Sequence, residues 1–177
     1  MKRLFLLRHT KAERDVPGID DEARALVPRG REDAARIGRF LREEVYVADL
    51  VLCSTAVRTR QTVELLLPEL GVRPVVQYLP ELYLARRDTI LSVIRQARDG
   101  AGSLMVVGHS PGLADCAHAL TREPDDRKMR KRYLTMAEKF STGSLVVLDF
   151  EIAQWHGVDV GAGELELFVR PKDLQEE

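Results

Sequence analysis

The stretch Leu4-Phe5-Leu6-Leu7-Arg8-His9-Thr10 contains four consecutive apolar residues, followed directly by an arginine and a histidine. An apolar run this short, with polar residues next to it, is typical of a buried strand that ends at a functional edge. The stretch Leu104-Met105-Val106-Val107-Gly108-His109-Ser110-Pro111-Gly112 has the same construction. The sequence therefore predicts two strands that each deliver a histidine at their carboxyl end.

The composition is that of a folded, globular chain. Of its 177 residues, 45% are hydrophobic and 31% are charged, and this length predicts a single domain spanning 1–177. The formal net charge of −1 makes nucleic acid an unlikely partner. The apolar run at the start is too short for a signal peptide, and no run approaches the ~20 residues of a membrane span. We therefore expect no membrane partner and a cytoplasmic location.

Strand and helix patterns alternate along most of the chain. Short apolar runs predict strands at 4–7, 49–53, 75–76 and 104–107. Helical periodicity and start signals predict helices at 30–44, 56–67, 89–97, 111–120 and 125–138, with Ser54 and Ser110 as caps of the second and fourth. Residues 11–24 and 80–83 are predicted to be loops, and 144–150 and 164–169 to be strands. This order predicts an α/β fold, a three-layer αβα sandwich whose mostly parallel sheet has helices on both faces and an antiparallel C-terminal hairpin.

Polar side chains follow the carboxyl ends of three predicted strands. These are Arg8-His9, Ser54 and His109, and Arg58 lies one turn into the helix that starts after Ser54. Because ligands bind outside the carboxyl ends of strands in such sheets, we expect these residues to line one crevice. Two arginines, a hydroxyl and a helix N-terminus form a receptor for a tetrahedral dianion such as phosphate.

Two histidines beside a bound phosphate favour phosphoryl transfer, in which positioning and charge neutralisation provide most of the catalysis. One histidine could attack phosphorus, provided that its ring nitrogen is unprotonated. Adjacent arginines favour the unprotonated form by lowering the pKa of the histidine.

Paired histidines also bind metals. The sequence, however, has neither the i, i+4 histidine spacing of a helical zinc site nor a carboxylate at ligand spacing from either histidine. We therefore predict no metal and no cofactor, and structural roles for His118 and His156.

Three segments resemble the histidine phosphatase superfamily, the phosphoglycerate-mutase-like group. The pair Arg8-His9 matches the family's Arg-His pair after the first strand, and Gly108-His109-Ser110-Pro111-Gly112 is a second match. Residues 54–62, Ser-Thr-Ala-Val-Arg-Thr-Arg-Gln-Thr, are similar to the family's Ser-Pro-x-x-Arg-Ala-x-Gln-Thr segment. The short length and details at 8–13, 24–30, 80–83 and 139–143 resemble the small bacterial phosphohistidine phosphatases of the SixA type.

The resemblance implies a role for each of the matching residues. His9 would be the nucleophile that forms a phosphohistidine intermediate. Arg8, Arg58 and His109 would bind the phosphoryl oxygens and stabilise the transition state. Ser54 would support the pocket.

The resemblance also makes Glu81 the best candidate for a proton donor, and the sequence leaves Asp88 open as an alternative. Thr10, Thr55 and Ser110 depart from residues frequent in the family, where glycine, proline and, in this branch, asparagine are usual. None of the three replaces a charged catalytic group, so activity is expected to survive, whereas the shape of the pocket stays open.

The predicted function is hydrolysis of a phosphoryl group through phospho-His9, with phosphohistidine in a protein as the preferred substrate. The leaving group of phosphohistidine is an imidazole, which needs protonation less than an alkoxide leaving group does. No long insertion after Tyr83 would form a lid, and an open crevice suits a protein side chain or a small phosphoester. A small-metabolite phosphomonoesterase or mutase of the same fold is the alternative.

A phosphate-sensing interaction module without chemistry is the third possibility. The basic segment 127–132 would then dock an acidic partner or a nucleic acid. The plainer interpretation of that segment is a solvated helix face, balanced by nearby acidic residues.

Overall fold

The computed structural model describes residues 1–175 and contains a six-stranded sheet. Its strands are β1 (Lys2–Arg8), β2 (Leu50–Ser54), β3 (Val75–Leu79), β4 (Ser103–Gly108), β5 (Leu145–Phe150) and β6 (Glu164–Val169). Their order across the sheet is β3-β2-β4-β1-β5-β6. The first four in this order are parallel, and β5 is antiparallel to both of its neighbours. The mostly parallel sheet with an antiparallel C-terminal pair confirms the predicted α/β fold.

Helices cover both faces of the sheet. They are α1 (Pro28–Glu43), α2 (Val57–Leu66), α3 (Arg87–Arg95), α4 (Gly112–Leu120) and α5 (Arg127–Glu138). Alternate residues of β1 point to opposite faces, so Phe5 and Leu7 pack in the core under α1 and α2, whereas Leu4 and Leu6 pack under α3, α4 and α5. The result is the predicted three-layer arrangement. Within residues 1–175, no helix combines the length and apolarity needed to cross a membrane.

Two glycines let helix N-termini approach neighbouring backbone closely. A Cβ at Gly30 would lie 2.0 Å from the carbonyl oxygen of Lys11, and one at Gly112 would lie 1.8 Å from that of Ala85. Any side chain at these positions would displace backbone atoms. Gly30 therefore fixes α1 against the segment that follows β1, and Gly112 fixes α4 against the loop before α3.

Several predicted boundaries shift for physical reasons. α1 begins at Pro28 rather than at residue 30, because proline suits the first helical position. The two predicted helix caps are wrong. Ser54 is the last residue of β2, and the residue that precedes α2 is Ala56. The residue that precedes α4 is Pro111 rather than Ser110, and neither helix has a capping side-chain hydrogen bond. The predicted loop at 80–83 is mostly a short 3-10 helix, Pro80–Leu82.

Candidate active site

The carboxyl ends of β1, β2 and β4 bring His9, Ser54 and His109 together. β1 and β4 are parallel, with Arg8 opposite Gly108, so the histidines that follow them leave the sheet side by side. Their ring centroids are 5.5 Å apart. The Ser54 Oγ lies 2.7 Å from the Nε2 of His109.

His9 has the geometry of a nucleophile. Its Nδ1 lies 2.7 Å from the backbone carbonyl oxygen of Thr10, so Nδ1 carries the proton and Nε2 keeps its lone pair. Burial lowers the pKa of His9 to about 4; the hydrogen bond to the Thr10 carbonyl opposes this shift, and the charges of Arg58 and Arg8 add to it. The ring is therefore neutral near neutral pH.

His109 is held in the opposite tautomer. The oxygen of the buried Ser54 hydroxyl accepts from the Ala56 N–H at 3.4 Å, and among the described residues Nε2 of His109 is the acceptor within reach of the hydroxyl proton. The hydroxyl is therefore assigned as the donor to Nε2, which puts the proton of the neutral ring on Nδ1. Burial, followed by the charge of Arg58 and by repulsion from the His9 ring once that ring is protonated in acid, lowers the pKa of His109 to about 3. His109 therefore offers a fixed N–H donor rather than a positive charge.

Each of the two arginines is anchored through its terminal nitrogens. Arg8 donates from Nη1 to the carbonyl oxygen of Phe140 at 2.9 Å. Arg58 is 1% exposed and donates from Nη1 to the carbonyl oxygen of Asp21 at 2.7 Å and from Nη2 to its carboxylate at 3.1 Å. These bonds fix the orientation of both guanidinium groups and leave their Nε–H groups available.

Unpartnered donors concentrate at this site. Within residues 1–175, the buried side-chain polar atoms without a hydrogen-bond partner are Arg8 Nε, Arg58 Nε, His109 Nδ1 and Ser110 Oγ. Such atoms are rare in folded proteins, where the great majority of buried polar groups are satisfied. Three of the four are N–H donors on residues that flank His9. The arrangement can bind the oxygens of a tetrahedral anion next to His9 Nε2.

Sequence reasoning missed two residues of the site, Asp21 and Tyr83. The Asp21 carboxylate accepts hydrogen bonds from Arg24, Arg58 and the Tyr83 hydroxyl. The bond from Tyr83, followed by those from the two arginines, holds the pKa of Asp21 well below its usual range. The Tyr83 ring meets His109 edge-on at 5.5 Å, and burial together with the bond to Asp21 raises the pKa of Tyr83 to about 12.

The sequence carries only an indirect signal for Asp21. A buried arginine needs an acidic partner, but residues 11–24 are predicted to be an exposed loop and contain several acids. The partner lies 37 positions before Arg58, and only the folded chain shows which acid it is.

Glu81 and Asp88 occupy different places from the histidines. The exposed Glu81 side chain lines a cavity of about 260 Å³ together with Leu52, Gln77 and Arg98, between the sheet and α3. The Asp88 side chain is 87% exposed and pairs with Arg87 at 3.3 Å. Within the described residues, neither carboxylate hydrogen-bonds to His9 or His109, and no cluster of three His, Cys, Asp or Glu could hold a metal ion.

The lowered pKa values predict how stability depends on pH. In the unfolded chain both histidines bind protons near their ordinary pKa of about 6.5, whereas in the folded chain His9 does so at about 4 and His109 at about 3. The unfolded state therefore binds more protons, and the free energy of unfolding falls as the pH decreases from about 6.5 towards about 4. Urea midpoints at about pH 7 and about pH 5 measure this difference.

A double variant, His9→Gln with His109→Gln, should lose most of the pH dependence in this window. His118 is exposed and lies outside the site, so His118→Ala should keep it. An unchanged dependence in the double variant would show that other groups cause it.

Ser54→Ala should weaken catalysis through the tautomer of His109. Without the hydroxyl, Nε2 can take the proton and Nδ1 ceases to be a reliable donor, so kcat/KM should fall about tenfold, as for the loss of one hydrogen bond. Nitrogen NMR of the His109 ring should show the Nδ1–H form in the wild type and a mixture in the variant. Ser92→Ala, on the exposed face of α3, is the control; a fall in kcat/KM with an unchanged tautomer would contradict this role.

The sequence matches known proteins over most of its length. The family model of the histidine phosphatase superfamily (branch 1) matches residues 4–83. An uncharacterized protein of Mycobacterium leprae (strain TN) is 33% identical over 169 residues, which cover 94% of this chain and 100% of that protein.

Two solved structures extend the match to the whole fold. Both are of proteins described as candidate phosphohistidine phosphatases SixA. The one from Nakamurella multipartitia has a TM-score of 0.80 and 30% identity, covering 96% of each chain. The one from Agrobacterium tumefaciens has a TM-score of 0.77 and 31% identity, covering 96% of this chain and 98% of its own. The chain therefore belongs to the histidine phosphatase superfamily, and its fold is that of the SixA-type members.

Proposed function

We propose that the protein is a phosphohistidine phosphatase that works through a phosphoryl group on His9. The observation that supports this most is the set of unpartnered N–H donors on Arg8, Arg58 and His109 around a neutral His9. These donors suit the oxygens of a phosphoryl group, and the lone pair on His9 Nε2 suits attack on its phosphorus.

The reaction has two displacements. The substrate ring carries a proton from solvent on its second nitrogen. The His9 Nε2 lone pair forms a bond to phosphorus while the P–N bond of the substrate breaks, and the ring leaves with that electron pair as a neutral imidazole. A water molecule then attacks phospho-His9, the new P–N bond breaks, and orthophosphate leaves. One proton of that water passes to phosphate or solvent, and His9 regains its lone pair. Arg8, Arg58 and His109 donate to the non-bridging oxygens and stabilise the charge in both transition states.

The acidic group of the site supports phosphohistidine over alkyl phosphoesters. Asp21 is the carboxylate that joins the network of Arg58 and Tyr83, and its lowered pKa keeps it ionised. An ionised carboxylate has no proton to give to a departing alkoxide. A departing imidazole is a much weaker base and needs less help. A phosphorylated protein is the partner that this substrate implies, and the solved relatives described as candidate SixA proteins agree with it.

A substrate panel tests the proposal. Free phosphohistidine, a phosphohistidine peptide, phosphoserine and 3-phosphoglycerate are compared at equal pH and salt. We expect kcat/KM for the two phosphohistidine substrates to exceed kcat/KM for phosphoserine and 3-phosphoglycerate by at least about a hundredfold, because an imidazole leaving group departs without acid catalysis. A preference for phosphoglycerate, or its isomerisation, would favour the metabolite phosphatase or mutase. Phosphate binding without turnover of any substrate would favour the sensing module.

The role of Glu81 as proton donor stays a prediction, which Glu81→Gln tests. A general acid typically contributes about 10²- to 10⁴-fold, and only where the leaving group needs a proton. We expect kcat for phosphohistidine to change less than about threefold, because its imidazole leaves unaided. Phosphoserine serves as the comparison substrate, and Asp88→Asn is the matched variant for the alternative acid. A hundredfold loss on phosphohistidine would show that catalysis depends on Glu81 and would weaken the argument for this substrate.

A further inference from the structure

A basic cavity lies beside the candidate active site. It has a volume of about 200 Å³, and its walls carry five cationic side chains, one carboxylate and two hydroxyl groups. The carboxylate, Asp33, is buried and is held by Arg36 at 2.9 Å and by Arg29 at 3.8 Å. The cavity therefore has a net positive lining.

Backbone contacts place this cavity next to His9. Lys11, in its wall, follows His9 by two positions. Lys139 and Ser141, also in the wall, flank Phe140, whose carbonyl oxygen accepts the hydrogen bond from Arg8. Thr142 precedes Gly143, whose N–H lies 2.9 Å from the His9 carbonyl oxygen. The same short segments thus build the cavity wall and support the Arg-His pair.

A second cavity continues the first along α5. Its volume is about 390 Å³, and Lys128, Lys131 and Arg132 from the basic segment 127–132 line it. Arg170 lines both cavities, so the two are adjacent. We call the two cavities together the basic track.

Most cations of the basic track form no ion pair. Arg170 pairs with Asp173 at 3.1 Å, and Arg29 pairs with Asp33. The other cations of the track form no ion pair with any residue from 1 to 175; these are Lys11, Lys128, Lys131, Arg132, Lys139 and Lys172. Clefts lined by one sign of charge concentrate ligands of the opposite sign and speed their association.

We propose that the basic track binds an acidic segment of the protein whose phosphohistidine occupies the site at His9. This inference rests on the proposed function and names a substrate feature that the function alone does not. The track comprises two cavities in succession, which extends beyond the reach of a small phosphoester. Its unpaired cations are lysines and Arg132, and both side-chain types attract carboxylates.

The track is less suited to nucleic acid. Proteins that bind single-stranded nucleic acid use exposed aromatic rings, on which the bases stack. Phe168, the aromatic residue in the lining, packs its ring against Phe140 at 6.1 Å between centroids and is 5% exposed. An acidic protein segment needs no such platform.

Charge reversal tests the proposal with three substrates. The variant Lys131→Glu with Lys139→Glu reverses one lysine in each cavity. Its substrates are free phosphohistidine, a phosphohistidine peptide flanked by four glutamates, and the same peptide flanked by four serines. We expect kcat/KM on the glutamate peptide to fall about tenfold at low salt and much less at high salt, with the other two substrates nearly unchanged. Equal effects on all three substrates, or none on the glutamate peptide, would overturn the proposal.

A matched control reverses the charge of two exposed arginines near the opposite edge of the sheet, Arg73→Glu with Arg98→Glu. It should leave kcat/KM for all three substrates unchanged.

If the wild type fails to hydrolyse free phosphohistidine, the proposed function fails. Fluorescence anisotropy of the unphosphorylated glutamate peptide then still tests whether the basic track binds an acidic segment. Binding of this peptide that the lysine reversals weaken would support the track. Tighter, reversal-sensitive binding of an RNA oligomer than of the peptide would overturn the choice of partner.

Discussion

His9→Ala is expected to abolish turnover and to prevent formation of a phosphoenzyme. The variant loses the only group that the proposed mechanism uses to accept the phosphoryl group, so kcat should fall by at least about 10⁴-fold. Labelled phosphodonor, mixed with the protein and quenched, should give the wild type an adduct that is labile in acid and stable in base. The variant should give none.

The control for this experiment is a histidine outside the site. His118 stacks on Tyr133 with centroids 5.2 Å apart, and His118→Ala should label and turn over as the wild type does. Phosphate binding by the His9 variant shows that it is folded, because Arg8, Arg58 and His109 remain. Labelling that persists without His9 would refute covalent catalysis at this residue.

Arg58→Met is expected to remove activity without removing stability. The Arg58 guanidinium is almost completely buried while its Nε–H has no partner, a costly arrangement for a folded chain in the absence of a ligand. Methionine fills a similar volume, and the Asp21 side chain, 31% exposed, can be hydrated once its partner is gone. The free energy of unfolding should not fall and should rise by about 1 kcal/mol, while kcat/KM falls about 10³-fold.

Urea denaturation and steady-state kinetics on the same preparations measure the two effects. Arg3→Met is a matched variant, because Arg3 forms a partly exposed ion pair with Asp149 at 2.7 Å, away from the site. It should keep full activity. If Arg58→Met loses stability as well, then Arg58 holds the loop around Asp21 in place for structural reasons, and the loss of activity follows from that.

The sequence predicted the elements whose signals are local. The last strand was predicted at 164–169, and the structure has Glu164–Val169. Apolar runs that end in polar residues likewise located Arg8, His9 and His109, because the carboxyl ends of parallel strands meet at one edge. A strand end can be found from neighbouring residues alone.

Long-range contacts could not be predicted in this way. Ser54 was expected to cap a helix, since serine before a helix does so often, yet its hydroxyl bonds to His109, 55 positions further on. Asp21 and Tyr83 meet across 62 positions. Local composition placed both in loops. Only the packing of the Asp21 segment against α2, and the contacts of Tyr83 with Asp21 and His109, make them part of the site.

The position of β1 in the sheet has a consequence for synthesis on the ribosome. β1, residues Lys2–Arg8, emerges well before its partners, which are β4, Ser103–Gly108, and β5, Leu145–Phe150. Its apolar side chains and unpaired backbone stay exposed until these partners have been made, and such exposure invites association with other chains. Cells are thus expected to hold the nascent chain with a chaperone until β5 has emerged, and ribosome-bound chains that end before Leu145 should be more sensitive to protease at β1 than those that include Phe150.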